Sequence, residues 1–292
     1  MKRQGILLSL MFVVVAAHAE SSYEAWKTGR LEGLQRPHGW LSLVGLEWLH
    51  VGENSIGAAK NNDVQLSHGP DHLGTFWLSP DKTIRFVPNT SSGIKANDEM
   101  ISEKIVVHAD TSEQQTTVFT VDTFQFYVVE RGDKFAFRIK DSEADTRINF
   151  KGLEYYPENE KYRIDAKFVP YEPAKIIPTV NVLGILSEEP SPGRLEFTID
   201  GESYSLDALD STDSYYMIFA DKTNGRTTYG PGRFVYTDGK VDENGMVRID
   251  FNKAYNPPCA FTAYSTCTLP PRQNRMPVMV EAGEKKYADS VY

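Results

Sequence analysis

A segment near the C-terminus, Ala254 to Arg275, contains both cysteines of the chain, two Pro-Pro pairs and two arginines. Cys259 and Cys267 are separated by seven residues, which is enough chain to close a disulfide loop. A catalytic thiolate nucleophile is the second possibility. It needs a nearby base such as histidine, but every histidine lies in the first part of the chain, far in sequence from both cysteines. The third possibility is that both cysteines are buried free thiols that pack as small apolar residues. We favour a disulfide between Cys259 and Cys267.

A glycine-rich stretch, Asp221 to Phe234 (DKTNGRTTYGPGRF), is the strongest candidate for a ligand site. Its glycines allow backbone to approach a ligand closely, and its arginines offer planar forks that suit a carboxylate or phosphate. The ordinary alternative is a bend between strands, with the arginines paired to Asp221 and Asp250. We predict an anion pocket, and its candidate residues are Asp221, Arg226, Tyr229, Arg233, Arg248, Asn256, Arg272 and Arg275.

Other chemistry lacks a motif in this sequence. His68 and His72 are four residues apart, but Gly69-Pro70 between them opposes the helix that would aim both at one ion. The stretch Asp238 to Gly245 lacks the order of oxygen ligands that an EF-hand requires. Hydrolase, phosphate-loop and dinucleotide signatures are also missing. We therefore predict no metal and no cofactor.

The N-terminus has the features of a secretory signal peptide. Lys2 and Arg3 precede an apolar run, Ile6 to Ala17, and Ala17-His18-Ala19 forms a small-residue cleavage signature. The run is shorter than the roughly 18–20 apolar residues that span a bilayer. We expect residues 1–19 to be removed, leaving a periplasmic or secreted protein with no membrane span.

Charge excludes some classes of partner. The formal net charge is -9, and removal of residues 1–19 makes the chain more acidic because it deletes Lys2 and Arg3 but no acid. An acidic chain is poorly suited to nucleic acid or anionic lipid. We predict no nucleic-acid partner.

The elements that would position these residues are mostly strands. Short alternating runs such as TIRFVP, KFAFRIK, RLEFTID and RFVYT are separated by Gly, Pro, Asn and Asp. Two hairpins are predicted, one turning at Arg131-Gly132-Asp133 and one at Asp200-Gly201, a pair suited to a type I′ turn. The pattern is that of an all-β protein.

One helix is predicted, at the start of the mature chain. Ser21 and Glu24 form a capping box, and apolar residues then recur at helical spacing before Pro37. All four tryptophans, at positions 26, 40, 48 and 77, lie in the first eighty residues. Core packing against the helix is the interpretation that we prefer, and a sugar-stacking platform is the alternative.

We divide the chain into two packed β units. The polar segment Lys140 to Gly152 follows the first strand set and precedes the second. The prediction is an N-terminal β-sandwich over residues 22–140, preceded by the helix, and a C-terminal β-barrel or sandwich over residues 141–292.

Several stretches resemble a bacterial family known as domain of unknown function 1684 (DUF1684). They are GWLSLVGLEWLHVGENSIG (39–57), RIKDSEADTRINFKGLEYYP (138–157), FADKTNGRTTYGPGRFVY (219–236), IDFNKAYNPPCAFTAYSTCTLPPRQNR (249–275) and EAGE (281–284). The resemblance covers nearly the whole mature chain. It implies no reaction, so no catalytic role is transferred.

Residues 52–98 also resemble the strand-and-turn plan of forkhead-associated (FHA) domains, which are β-sandwiches that bind phosphothreonine. The arginine that reads phosphate in that family is replaced by Ala58, after Ile56-Gly57. The resemblance therefore implies an FHA-like sandwich fold and not phosphopeptide binding.

Taken together, the sequence predicts an exported binding or accessory protein. Its C-terminal part would hold a small anionic ligand through Arg226, Arg233 and Arg275, with Tyr229 as a hydrogen-bonding wall. One alternative is a hydrolase that uses an acid near Asp221 or Asp250. Another is a structural or protein-interaction module of the envelope. The sequence leaves open whether the protein is an enzyme.

Overall fold

A computed structural model describes residues 22–290 of the chain. The predicted signal peptide and the Ser21 cap lie outside the described residues. The predicted helix is present as α1 (Ser22–Gln35), which buries Tyr23 and Leu34 and carries Glu24 in its first turn. A second helix, α2 (Asp145–Ile148), is a single turn, and five 3-10 turns are Trp40–Ser42, Glu160–Tyr162, Phe251–Lys253, Pro258–Ala260 and Arg272–Asn274.

The rest of the regular structure is β, as the alternating patterns predict. The strands are β1 (Leu43–Trp48), β2 (Gly52–Gly57), β3 (Val64–Gln65), β4 (Gly74–Leu78), β5 (Ile84–Pro88), β6 (Lys95–Ala96), β7 (Glu99–Met100), β8 (Ile105–Val107), β9 (Phe119–Val121), β10 (Phe124–Arg131), β11 (Lys134–Asp141), β12 (Arg163–Val180), β13 (Leu186–Ile199), β14 (Glu202–Asp210), β15 (Tyr215–Phe219), β16 (Arg233–Tyr236) and β17 (Met246–Asp250).

Two sheets face each other in the N-terminal part. The first has the order β1-β11-β10-β9-β6-β7, and the second has the order β3-β2-β4-β5-β8. Phenylalanines from both sheets meet between them: Phe76 lies 4.5 Å from Phe137 and 5.2 Å from Phe119, measured between ring centroids. Because both sheets contribute to one buried apolar cluster, this part of the chain is a β-sandwich.

The third sheet curls into a barrel. Its order is β16-β15-β14-β13-β12-β17, and an isolated bridge between Thr237 and Ile249 brings the two edge strands together. Closure removes the exposed edges that an open sheet would present. The interior is filled by side chains that include Met217, Phe219 and Val235.

Both predicted hairpins are confirmed. Arg131 pairs with Lys134 across Gly132-Asp133, and Ile199 pairs with Glu202 across Asp200-Gly201. Asp200 and Gly201 have φ values of 54° and 84°, which is the left-handed region that a type I′ turn requires at both central positions.

The β12–β13 hairpin is the longest in the chain. A register shift between Pro170 and Lys175 divides its pairing into two stretches. At the tip, the amide of Val182 donates to the carbonyl of Cys267, and Asn181 forms a bridge with Thr268. The tip of the hairpin therefore contacts the segment from Ala254 to Arg275, which we call the cysteine segment.

Two side chains of β11 that point away from the sandwich core are covered by other parts of the chain. On β11, Phe135, Phe137 and Ile139 enter the sandwich core, so Arg138 and Lys140 project from the opposite face. The side chain of Lys140 donates to the carbonyl of His38, beside the turn that carries Trp40.

Helix α1 contacts residues from the C-terminal part. Leu34 packs in a small cluster with Tyr229, Cys259 and Phe261, and Arg30 pairs with Glu284. The division into units at residues 140 and 141 stays a prediction.

The expected packing of the tryptophans against the helix holds for Trp40, which packs against the cluster containing Leu34 of α1, but is wrong for Trp48 and Trp77. Trp48 and Trp77 are 40% and 43% exposed, and Trp26 and Trp40 are half-buried. The interior of the sandwich is filled by phenylalanines and aliphatic residues, which fit between two sheets with no polar atom to satisfy.

Candidate functional site

Arg233, the central residue of the predicted anion pocket, is part of a buried ion pair. Its guanidinium lies 2.7 Å from the carboxylate of Asp221, and both side chains are fully buried. The same guanidinium donates to the carbonyls of Val280 and Ala282. Asp221 also accepts from the amides of Thr223 and Val280. The pair is enclosed by the protein and cannot meet a ligand.

The remaining arginines of that prediction are not gathered around a common pocket. Arg248 is exposed on β17 and pairs with Asp165 through both oxygens, at 2.8 and 3.0 Å. Arg226 is exposed in the glycine-rich stretch, whereas Arg272 and Arg275 are exposed at the start and at the C-cap of one 3-10 turn. The predicted C-terminal anion pocket is therefore wrong, because its central arginine is neutralised inside the fold and the others face solvent.

Tyr229 and Asn256 hold structural positions. Tyr229 is fully buried in the cluster with Leu34 and Cys259. The amide of Asn256 donates to Glu284, its side chain donates to the carbonyl of Lys285, and its carbonyl accepts from Arg30. These contacts fasten the EAGE stretch and helix α1 to the cysteine segment.

The two cysteines are adjacent free thiols, and the predicted disulfide is not formed in the structure. The amide of Cys259 donates to the sulfur of Cys267 at 3.1 Å, and the amide of Cys267 donates to the sulfur of Cys259 at 3.3 Å. The Ser265 hydroxyl donates to Cys259 at 2.8 Å. Hydrogen bonds from Cys267 and Ser265 lower the pKa of the Cys259 thiol, whereas burial raises the pKa of the Cys267 thiol.

A different concavity lies over the outer face of the barrel. Because Met217, Phe219 and Val235 point into the barrel, alternation along β15 and β16 turns Tyr216, Ile218, Phe234 and Tyr236 outward. These outward side chains form the floor of two adjoining cavities. We call the two cavities together the β15–β16 groove.

The two cavities share four lining residues: Trp40, Tyr216, Phe234 and Pro258. One has a volume of about 480 Å³ and is walled by Arg131 and Arg138 from the first sheet; we call it the arginine lobe. The other has a volume of about 630 Å³ and is walled by helix α1; we call it the aromatic lobe. Both volumes fall within the range of small-molecule sites.

Arg138 is the most unusual residue of the arginine lobe. Only 6% of it is exposed, yet among residues 22–290 no carboxylate forms an ion pair with it. Its Nε is buried and has no hydrogen-bond partner within the described chain. The guanidinium instead lies over the rings of Trp40 and Tyr127, at 5.3 and 5.9 Å from their centroids. A buried cation without a counter-charge is costly, so its presence in a cavity points to a ligand.

Other charged side chains also line the arginine lobe. Arg131 is already neutralised by Asp110 at 2.8 Å and donates to the hydroxyl of Thr266. Glu189 and Asp210 of the barrel also line this cavity, and Asp210 pairs with Lys240. The first sheet thus presents the positive wall and the barrel presents the negative wall.

Lys140 adds a second cation near Arg138. It lies within 5.8 Å of the centroids of Trp40 and Tyr127. Burial, with a smaller contribution from the charge of Arg138, lowers the pKa of Lys140 to about 8. An anion bound at Arg138 would offset the effect of the Arg138 charge on the pKa of Lys140.

The aromatic lobe carries little charge. Its lining includes Trp26, Tyr216, Tyr236 and Tyr255, and the ring planes of Tyr236 and Tyr255 differ by only 7° at a centroid distance of 6.3 Å. The cation in its lining, Arg30, is paired with Glu284 at 2.8 Å. The arrangement suits an uncharged, apolar or aromatic group.

The sequence contained a signal for Arg138 that motif analysis missed. In KFAFRIK, the phenylalanines and Ile139 alternate with Ala136, Arg138 and Lys140, so the pattern predicts a core face and a solvent face. An arginine on the second face looks like an ordinary surface residue. Only the packing of Trp40 and the cysteine segment over this face buries it.

The C-terminal part of the chain carries a family match. Residues 148–285 match the model of DUF1684, a protein family of unknown function. The DUF1684 match contains the barrel, the cysteine segment and the EAGE stretch. It supplies the floor of the groove, whereas Trp26, Trp40, Arg131 and Arg138 lie outside it. The resemblance at residues 39–57 and the FHA-like resemblance find no support in the comparisons.

One solved structure with detectable similarity is the solution NMR structure of an uncharacterised protein from Haloarcula marismortui. The two sequences are 29% identical over 49% of this chain and 80% of that one, with a TM-score of 0.41. At that score the similarity carries no information about the groove. No curated protein matched the sequence.

Neither a membrane-crossing helix nor a cluster of metal ligands is present within residues 22–290. No helix in this range has the length and apolar character needed to cross a membrane. Within the same range, no three side chains of His, Cys, Asp or Glu gather in a way that could hold a metal ion.

Proposed function

We propose that this protein is an exported binding or accessory protein that holds a small anionic ligand in the β15–β16 groove. The observation that carries the proposal is Arg138, a buried guanidinium in a cavity, without an ion pair in the described chain. A carboxylate or phosphate could accept two parallel hydrogen bonds from such a fork. The proposal keeps the kind of ligand that the sequence predicts and moves its site to the groove.

The test is a thermal-shift titration with acetate, benzoate and inorganic phosphate at low ionic strength. At least one of these probes should raise Tm saturably in the unchanged protein, and the Arg138→Met variant should lose that rise. Arg248→Met is the matched control, since Arg248 is an exposed arginine outside the groove. A Tm rise that persists in Arg138→Met, or no rise with any probe, would refute the proposal.

The unliganded stability of Arg138→Met is a second readout. Arg138 donates a long hydrogen bond of 3.4 Å to the Tyr127 hydroxyl and contacts two aromatic rings, but it has no ion pair within the described residues. Removing this buried cation should leave Tm unchanged or raise it, because desolvation of the charge opposes folding. A variant that folds at least as well but no longer responds to the anion separates a binding role from a structural one.

Export is part of the same proposal and rests on residues 1–19. N-terminal sequencing of protein from a periplasmic fraction should begin at Glu20. Recovery of the intact chain starting at Met1, from the cytoplasm alone, would contradict it.

The two alternative functions have less support. Asp221 is held by Arg233, and Asp250 is buried with bonds from Asn252 and Arg163, so neither acid reaches a cavity as a hydrolase would require. For an envelope interaction module, no patch of the described surface indicates a partner as specifically as Arg138 indicates an anion.

A further inference from the structure

We infer that the ligand of the groove is a monocarboxylate with an apolar or aromatic body. Its carboxylate would contact Arg138 in the arginine lobe, and its body would lie on the rings of the aromatic lobe. The inference rests on the proposed function and adds the chemical class of the ligand.

The charge of the arginine lobe favours a single negative charge on the ligand. No carboxylate within residues 22–290 forms an ion pair with Arg138, whereas Arg131 is already paired with Asp110 and Lys140 does not line this cavity. Glu189 and Asp210 line the same cavity, and their charges would repel a second anionic group. A monocarboxylate satisfies Arg138 without bringing a further charge toward these acids.

The aromatic lobe provides a surface for an uncharged body. Tyr216 and Tyr236 lie 4.8 Å apart by ring centroids, and Tyr236 is nearly parallel to Tyr255. The positive charge of Arg30 is neutralised by Glu284, whose side chain is fully buried. Such a concave aromatic wall gains free energy by covering apolar or ring-shaped groups.

The two lobes adjoin closely enough to serve one molecule. They share Trp40, Tyr216, Phe234 and Pro258, and their floor is one face of the β15–β16 pair. Trp40 contributes to both: its ring faces the Arg138 guanidinium and also lines the aromatic lobe. One ligand can therefore place its carboxylate at Arg138 and its apolar or aromatic group beyond Trp40.

The experiment compares four probes by calorimetry: acetate, 4-phenylbutyrate, its uncharged analogue 4-phenylbutyramide and the dicarboxylate phenylsuccinate. We expect 4-phenylbutyrate to bind at least about tenfold more tightly than acetate, which corresponds to about 1.4 kcal/mol. The amide should bind at least about tenfold more weakly than 4-phenylbutyrate, because it lacks the charge that Arg138 recognises.

Two tyrosine variants test the aromatic lobe. Tyr236 and Tyr264 are similarly exposed, at 43% and 41%, but only Tyr236 lines the groove. Tyr236→Ala should weaken 4-phenylbutyrate about fivefold and leave acetate unchanged, since one aromatic contact contributes about 1 kcal/mol. Tyr264→Ala should bind both probes as the unchanged protein does.

The outcomes separate this inference from the proposed function. Equal binding of acetate and 4-phenylbutyrate, lost in Arg138→Met, would overturn the apolar body and keep the anion site. Tighter binding of phenylsuccinate than of 4-phenylbutyrate would overturn the single charge and also keep the site. Binding of 4-phenylbutyrate that is unchanged in Arg138→Met would overturn both, as would a failure of all probes to bind.

Discussion

The carboxylate of Asp221 lies 2.7 Å from the guanidinium of Arg233, and neither side chain has any exposed surface. Removing one partner leaves the other charge buried and unpaired, so Asp221→Ala should lower the free energy of unfolding by about 3–5 kcal/mol. Urea unfolding measures the change. The control is Asp165→Ala, which breaks the exposed pair with Arg248 and should cost less than about 1 kcal/mol. Similar losses in the two variants would contradict the buried pair.

Gly283 occupies a position that only glycine fits. Its φ is 77°, and a Cβ there would lie 2.3 Å from the carbonyl oxygen of Ala254. Gly201 has a similar φ of 84° with open space around it, so Gly201→Ala should cost about 1 kcal/mol for the strained backbone alone.

Gly283→Ala should cost about 2 kcal/mol or more beyond that control, because the backbone at Ala254 must move. Urea unfolding of the two variants under the same conditions gives the difference. Equal costs would show that the contact with Ala254 does not constrain the EAGE stretch.

Lys140 should make stability depend on pH. Its pKa is lowered to about 8 in the folded protein, so between about pH 8 and pH 10.5 the unfolded chain holds a proton that the folded chain has lost. Under that condition the free energy of unfolding rises with pH. The contribution of Lys140 to the free energy of unfolding is least favourable below pH 8, because folding must then bury its charged ammonium group.

Lys140→Met isolates this effect. The difference in unfolding free energy between the variant and the unchanged protein should favour the variant at pH 7 and shrink by pH 9.5. Urea unfolding at intervals between these values measures it. A difference that stays constant with pH would remove Lys140 as the cause.

Cys259 and Cys267 should form a disulfide on oxidation, although both are free thiols in the structure. Their amides each donate to the other sulfur, so the two residues are already neighbours. With oxidised glutathione, the two thiols would lose two protons and two electrons to form the S–S bond, and two reduced glutathione molecules would be released. By loop-closure entropy the bond should add roughly 2–3 kcal/mol to the free energy of unfolding.

Mass spectrometry after alkylation under denaturing, non-reducing conditions counts the thiols. We expect none in oxidised protein, two after reduction, and one in the Cys259→Ser variant. Two alkylated thiols in protein purified from the periplasm would contradict the disulfide.

The sequence predicted the all-β class, helix α1 and both hairpins because their causes are local. Alternation of apolar residues defines a strand, and Asp200-Gly201 defines a tight turn, whatever the rest of the chain does. The candidate site could not be predicted in this way, because the burial of its side chains depends on segments that are distant in the chain. Arg226 and Arg233 are seven residues apart in one glycine-rich stretch, yet one faces solvent and the other is fully buried.

Residue types and spacing alone therefore predicted the β architecture, and they are the sole basis of the export signal that we propose. The spacing of the two cysteines predicted that they could meet, and the structure places them side by side. Tertiary structure decided which arginine is neutralised and which is not. Arg233 meets Asp221, whereas Arg138 is covered by Trp40 without an ion pair among the described residues. The physical reason is that a charge's cost depends on the solvent and counter-charges that packing leaves around it, and these come from segments far away in the chain.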